Sequence, residues 1–315
     1  MSLPAERLVD VCVIGGGPAG LSAALVLARS RRSVLVIDAG EPRNAPAVAM
    51  HAFLSRDGMA PAEFLRLGRA EVVGYGGEVE SGQVVDVERT EGRFRVVRAD
   101  GRAVRARRLV VTTGLVDELP GVPGLAERWG RDVVHCPYCH GWEVRDRLIG
   151  VLNTSPMSLH QAGLFRQLSE RIVLLAHDGP SPDADQAAQL AARDVEVVEG
   201  RVAALEIEQD VLTGVRLEDG RAVTLEVLAV APRFVGRSAL LEELGLDPVE
   251  LPSATGLHVP SDPTGATSVP GVWVAGNVTD PSAQVITAAA QGNRVGAVVN
   301  ADLVTEDLAL ARVGP

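Results

Sequence analysis

Two cysteines separated by two residues, Cys136 and Cys139, stand inside the run His135-Cys-Pro-Tyr-Cys-His-Gly-Trp-Glu143. Thiols at this spacing can close a small disulfide ring and exchange it with an incoming thiolate at either sulfur. His140 follows Cys139 directly. An imidazole titrates near neutral pH, so it can take a thiol proton and return it. Cys136, Cys139 and His140 are therefore the candidate catalytic residues. His135 and His140 could in principle join the cysteines around zinc, but the sequence has no second CxxC, and the redox reading is preferred; no metal is expected. The third cysteine, Cys12, lies inside an apolar run and reads as a small core residue.

A second chemical pattern lies near the N-terminus. The run Val9–Ile14 reads as a buried strand, and Gly15-Gly16-Gly17-Pro18-Ala19-Gly20 follows it directly. Residues 21–30 have helical apolar spacing, and residues 33–37 form another strand that closes at Asp38. In such a unit Gly15 permits the tight turn, Gly17 lets backbone approach a pyrophosphate, and Gly20 allows close packing of helix on strand. The phosphates sit at the helix N-terminus, where N–H groups and the dipole favour anions. Asp38 is placed to bind ribose hydroxyls. Dinucleotide binding is the expectation.

Residues 149–178 repeat the pattern without its chemistry. Asn153, Ser155 and Ser158 fall opposite Gly15, Gly17 and Gly20, and Ala176 falls opposite Asp38. Side chains at the former glycines would crowd a pyrophosphate, and no arginine cluster follows the second strand to hold a 2′-phosphate. The sequence therefore predicts a second dinucleotide-type fold that does not use NADPH in the usual way.

The elements between these patterns set the domain plan. Residues 84–88 and 93–98 alternate, with Asp100-Gly101 as a hairpin turn. Residues 109–114 form a strand ending in Thr112-Thr113-Gly114, and Pro120–Gly124 marks a crossing between domains. A matching crossing is expected within 231–237. One further strand, 271–276, precedes a helix opening at 282–287. The predicted fold class is α/β with two Rossmann-like three-layer domains. Residues 1–116 and 238–315 form a discontinuous dinucleotide domain, and residues 117–237 form an inserted CxxC-bearing domain.

Composition narrows the function classes. The 315 residues include thirty arginines and no lysine, which excludes Schiff-base chemistry and a lysine phosphate cradle. A net charge of −11 argues against nucleic acid as a partner. Aromatics make up only 3% of the chain, so the core must be aliphatic. Three cysteines cannot build a disulfide framework, no apolar run suffices to span a membrane, and the N-terminal stretch lacks a signal-peptide pattern. A cytoplasmic location with no membrane partner is expected.

The order GxGxxG, ThrThrGly, CxxC, second Rossmann pattern, GVWVAGN and AQVITAAAQG resembles the low-molecular-weight thioredoxin reductase family over nearly the whole chain. The resemblance implies the class II pyridine nucleotide-disulfide oxidoreductase architecture, FAD as cofactor and a homodimer. It implies that Gly15, Gly17, Pro18, Ala19, Gly20, Asp38, Ala39, Thr113 and Gly114 line FAD. By the same resemblance Gly276 and Asn277 would meet the ribityl chain, and Gln284 and Val285 the flavin pyrimidine edge. Three departures stand out: Asn277 and His140 where the reductases normally carry Asp, and the lost motifs of the second module. With CPYCHGWE, these resemble a subgroup, the dithiol oxidases of gliotoxin and holomycin type. Arg43 and Asn44, and the segment opening with His51, also look like that subgroup and would lie along FAD. The subgroup implies oxidation of a small-molecule, natural-product dithiol to a disulfide, with O2 accepting the electrons. A reductase fed by NADPH or ferredoxin, and a non-catalytic flavin redox sensor, remain as alternatives.

Overall fold

The computed structural model describes residues 6–90, 92–251 and 255–313, so the expected domain limits at residues 1 and 315 lie outside the described residues. The chain divides into two compact units. One comprises residues 1–45, 59–116 and 234–315, and the other residues 46–58 and 117–233. The first crossing falls between Val116 and Asp117. The second falls between Arg233 and Phe234 rather than after Arg237, because Phe234 and Val235 already pair with Gly256 and Leu257 of the first unit. Residues 46–58 depart from the expected plan as well: they group with the CxxC-bearing unit.

The first unit is built on a sheet ordered Glu78–Ser81, Val34–Asp38, Leu8–Ile14, Ala103–Val111, Arg93–Arg98, Val84–Thr90, with Val272–Val274 also paired to Ala103–Val111. Leu8–Ile14 runs parallel to both neighbours, with Val11 opposite Val34 and Val13 opposite Val110. From Val11 to Ile14 its run is apolar and buried because both sheet faces are covered. On one face the helices Pro18–Arg29, Pro61–Gly74 and Val285–Val313 contribute Leu21, Leu27, Leu65, Val295 and Leu303 to the core. On the other, Val87, Phe94 and Leu241 close over Cys12, Ile14 and Leu35. Cys12 is fully buried, and burial pushes its thiol up to about 12, so it stays protonated and inert.

Helix Val285–Val313 crosses Pro18–Arg29 at backbone contact distance. A Cβ on Gly292 would lie 1.9 Å from the Ala19 carbonyl oxygen, and one on Gly296 2.7 Å from that of Ala23. Arg107 ties the far end of the same helix to the sheet through Asp10 and Glu306, at 2.8 and 2.6 Å. Burial works against its charge, but these carboxylates and Asp307 hold the guanidinium protonated. Several of the thirty arginines are thus built into the fold rather than solvated.

The second unit carries a parallel sheet ordered Glu196–Val198, Ile172–Leu175, Ile149–Leu152, Val227–Val230, Val133–Val134. Its three central strands are buried along their whole length. An antiparallel sheet of Val202–Glu208, Val211–Leu217 and Ala222–Thr224 packs Leu205, Leu212 and Val215 on one face. Ala162, Phe165 and Leu190 cover the other. Among the described residues no helix is long and apolar enough to cross a membrane.

The helix crossing in the first unit leaves no room for a methyl group. Gly292→Ala is expected to destabilise the protein by about 1–3 kcal/mol, read as a lowered thermal midpoint, whereas Gly74→Ala on an open helix face should not.

Candidate functional site

In the first unit the strand Leu8–Ile14 delivers the chain into the glycine turn. Gly15 adopts φ 106°, and a Cβ there would stand 2.4 Å from the Thr112 carbonyl oxygen. Gly20 is equally constrained, its Cβ position being 2.0 Å from the Gly15 carbonyl oxygen. Gly17 differs: nothing lies within 4 Å of its Cβ position, so space is open before the helix. It is the N-cap of Pro18–Arg29, and no side chain caps that end. A helix start of this kind offers N–H groups to an anion. Asp38 ends its strand as expected: its Oδ1 accepts the Gly16 N–H at 3.0 Å, and Arg69 grips its Oδ2. A cavity of about 280 Å³ opens beside the pair, lined also by Ala70, Val73 and Glu80. An open, uncapped helix start with an acid at the end of the next strand fits the pyrophosphate and ribose of a dinucleotide.

The remaining expected cofactor residues are distributed around this turn and on the segment after Asp38. Gly276, at φ 75°, faces Ala19: its Cβ position is 3.0 Å from that of Ala19. Thr113 Oγ1 donates to the Arg237 carbonyl at 2.6 Å, and the Gly114 carbonyl accepts the Arg237 N–H at 3.0 Å. Asn277 donates its side-chain amide to the carbonyls of Asp280, Pro281 and Ala283, at 3.1, 3.3 and 2.9 Å. A carboxylate could not donate to any of them. The asparagine thus shapes the loop that leads into Gln284 and Val285, where the last helix begins. Arg43 stacks 5.2 Å over the Phe234 ring, Ala39 is exposed, and Asn44 sits in a turn closed by the Ala45 N–H on the Pro42 carbonyl.

The corresponding turn of the second unit is filled by its own side chains. Ser158 Oγ accepts the N–H groups of Thr154 and Ser155 at 3.1 and 3.3 Å. Asn153 is fully buried and donates to the Pro180 carbonyl at 2.9 Å, packed so tightly that a Cβ on Gly179 would lie 2.1 Å from its Oδ1. At the end of the next strand, His177 Nδ1 accepts the Val202 N–H at 3.1 Å, and burial holds this imidazole below its ordinary titration range. Arg201, the nearby cation, is paired with Asp178 at 2.6 Å. The backbone donors and the cation that a phosphate needs already have partners within the chain.

The CxxC cysteines lie on a single helical turn of the same unit. Cys136 is the N-cap of Pro137–His140, and its carbonyl accepts the N–H groups of both Cys139 and His140 at 3.1 Å. Two bonds fix the segment before it: Gln161 Nε2 donates to the His135 carbonyl at 2.6 Å, and His135 Nδ1 donates to the Val230 carbonyl at 3.0 Å. Both ring nitrogens of His140 are buried and have no hydrogen-bond partner among the described residues. Burial lowers its titration below the ordinary 6.5, His51 lowers it further, and Glu143 opposes them. His140 is therefore neutral at pH 7, the state that accepts a proton.

His51, expected along FAD, belongs to this unit: its Nε2 lies 3.4 Å from Glu143 Oε1 and its Nδ1 3.4 Å from Asp57 Oδ1. Sequence reasoning missed Arg69, Glu143, Gln161 and the capping role of Ser158. Only Glu143 carried a signal, its place in the CPYCHGWE run.

Residues 9–292 match the model of the pyridine nucleotide-disulphide oxidoreductase family. The chain is 32% identical to a protein named thioredoxin reductase tcpT of Claviceps purpurea, over 96% of each. It is 30% identical to thioredoxin reductase sirT of Leptosphaeria maculans, again over 96% of each. Among solved structures, that of HlmI superposes with a TM-score of 0.90 at 48% identity, covering 99% of this chain and 96% of the other.

Replacing Asn277 by Asp removes three donated bonds and sets a carboxylate against three carbonyls. FAD affinity is expected to fall by about tenfold or more, measured as FAD released on ultrafiltration. An Asn277→Asp variant that holds FAD as tightly as the parent would contradict this role.

Proposed function

Because the chain belongs to the pyridine nucleotide-disulphide oxidoreductase family, we propose that it oxidises a small-molecule dithiol to an intramolecular disulfide through Cys136 and Cys139. It is an oxidoreductase and an FAD-binding flavoprotein of thioredoxin reductase-like type. The observation that carries the finer reading is the self-capped turn of the second unit, where Ser158 takes the N–H groups that a nicotinamide dinucleotide would need. Electrons that do not arrive from NADPH must come from the substrate, and a thiol pair at a CxxC is the matching donor.

The first substrate thiol gives its proton to His140, whose buried nitrogens await a partner. The thiolate attacks the Cys136 sulfur of the enzyme disulfide; the substrate–Cys136 bond forms and the Cys136–Cys139 bond breaks, with Cys139 leaving as thiolate. His140 hands its proton to that thiolate and then takes the proton of the second substrate thiol. This second thiolate attacks the substrate sulfur of the mixed disulfide. The product disulfide closes, and Cys136 departs and receives the proton. Two electrons and two protons have moved from substrate to the cysteine pair. FAD, when bound on the residues described around Gly17, Asp38 and Asn277, supplies the two-electron sink that restores the disulfide, with O2 as final acceptor and hydrogen peroxide as product. Tyr138 and Trp142, both 65% exposed beside the pair, offer apolar surface to a small substrate; Arg145 stacks 4.1 Å over Trp142. By family resemblance the protein acts as a homodimer.

The test is aerobic turnover of dithiothreitol with peroxide counted. The reading expects about one peroxide per dithiol, abolished in Cys136→Ser and Cys139→Ser variants that still hold FAD. Turnover retained in either variant would overturn the relay. The acid limb of the rate against pH should have its midpoint below 6.5, because a neutral His140 persists to lower pH than an ordinary histidine. A midpoint above 6.5 would remove His140 as the base.

A further inference from the structure

The segment Pro46–Gly58 lies in sequence between two parts of the dinucleotide unit, yet it packs on the CxxC-bearing unit. Pro46 leaves no space above Gly130, whose Cβ position is 2.8 Å from that of Pro46. The loop that follows is held in a demanding conformation. Ala52 and Ser55 adopt φ 59° and 70°, a left-handed region that side chains with a Cβ rarely occupy. Three bonds hold it there: Gly58 N–H to the Met50 carbonyl at 2.9 Å, Arg56 N–H to the Phe53 carbonyl at 2.8 Å, and Ala52 N–H to Asp57 Oδ1 at 2.9 Å. What this strained loop presents is His51, with Asp57 against one ring nitrogen and Glu143 against the other, each at 3.4 Å.

Glu143 follows His140 by three residues, so its carboxylate would otherwise favour a proton on the His140 ring. We propose that His51 is a positioning residue for the redox centre: pinned between Asp57 and Glu143, it engages the Glu143 carboxylate and leaves His140 with an open, unprotonated ring to meet the thiol. The inference rests on the dithiol reading for its catalytic meaning but not for its electrostatics. Among the described residues the titratable groups acting on His140 are Glu143, which raises its proton affinity, and His51, which lowers it. Glu143 in turn faces His51, and Asp57 faces His51 from the loop side. The two neighbours of His140 act in opposite senses, so their removal must move it in opposite directions.

The titration of His140 in the FAD-loaded protein reads this directly, by NMR of ¹⁵N-labelled histidine with the signal assigned through His140→Gln. His51→Gln is expected to raise the His140 midpoint by roughly half a pH unit or more, and Glu143→Gln to lower it. The acid limb of dithiothreitol-driven flavin bleaching should follow in the same directions. If His51→Gln does not fold, the downward shift in Glu143→Gln still tests the coupling. An unmoved midpoint in both variants, or shifts of the same sign, overturns the proposal. Opposite shifts in a protein whose flavin no dithiol bleaches would uphold the role of His51 on His140 while removing the dithiol reading.

Discussion

Everything distinctive about this protein depends on where the backbone N–H groups of two strand-to-helix turns are directed. In the first turn the Gly16 N–H is taken by Asp38, but open space lies before the helix start at Gly17. Gly15 and Gly20 are pressed against backbone, but nothing stands before Gly17 and no side chain caps the helix. In the second, a serine four residues into the turn takes two of those N–H groups, and a buried asparagine fills the place of a glycine. Unpaired buried N–H groups are costly, so a turn either keeps its donors for an anion or satisfies them internally. One fold repeated in one chain shows both solutions.

That difference sets the task of the redox centre. On the proposed reading, a unit whose turn is capped by its own Ser158 receives its electrons elsewhere, and CxxC is the only dithiol in the chain. Its chemistry is limited by protons: two thiols must lose theirs before a disulfide forms. On the proposed reading the buried, neutral His140 addresses that need. Burial alone would make the imidazole a ready acceptor, and the nearby carboxylate of Glu143 would spoil it were it not engaged by His51. The arginines serve the scaffold instead. Arg107 anchors the last helix, and Arg201 is neutralised by Asp178.

The two turns were legible because glycine is needed wherever backbone must approach backbone or phosphate, and its loss at Asn153, Ser155 and Ser158 is visible by alignment within the chain. The central strands Val34–Asp38, Ile149–Leu152 and Ile172–Leu175 were legible as apolar runs, whereas the parallel edge strands Glu78–Ser81 and Glu196–Val198 carried no such signal. Contacts between distant segments were not. Arg69 reaches Asp38 from a helix with no motif, and Asn277 declares its role only once three carbonyls gather around it. The segment carrying His51 gave no sign that it would leave its sequence neighbours, since its packing against Gly130 depends on a fold that neither stretch encodes alone.

The central claim is that electrons enter from a dithiol and not from a nicotinamide nucleotide. Anaerobic mixing of the oxidised, yellow holoprotein with NADPH, beside a parallel mixing with dithiothreitol, tests it most directly. The account predicts that the flavin absorbance persists with NADPH and is lost with the dithiol. Rapid bleaching by NADPH alone would contradict it.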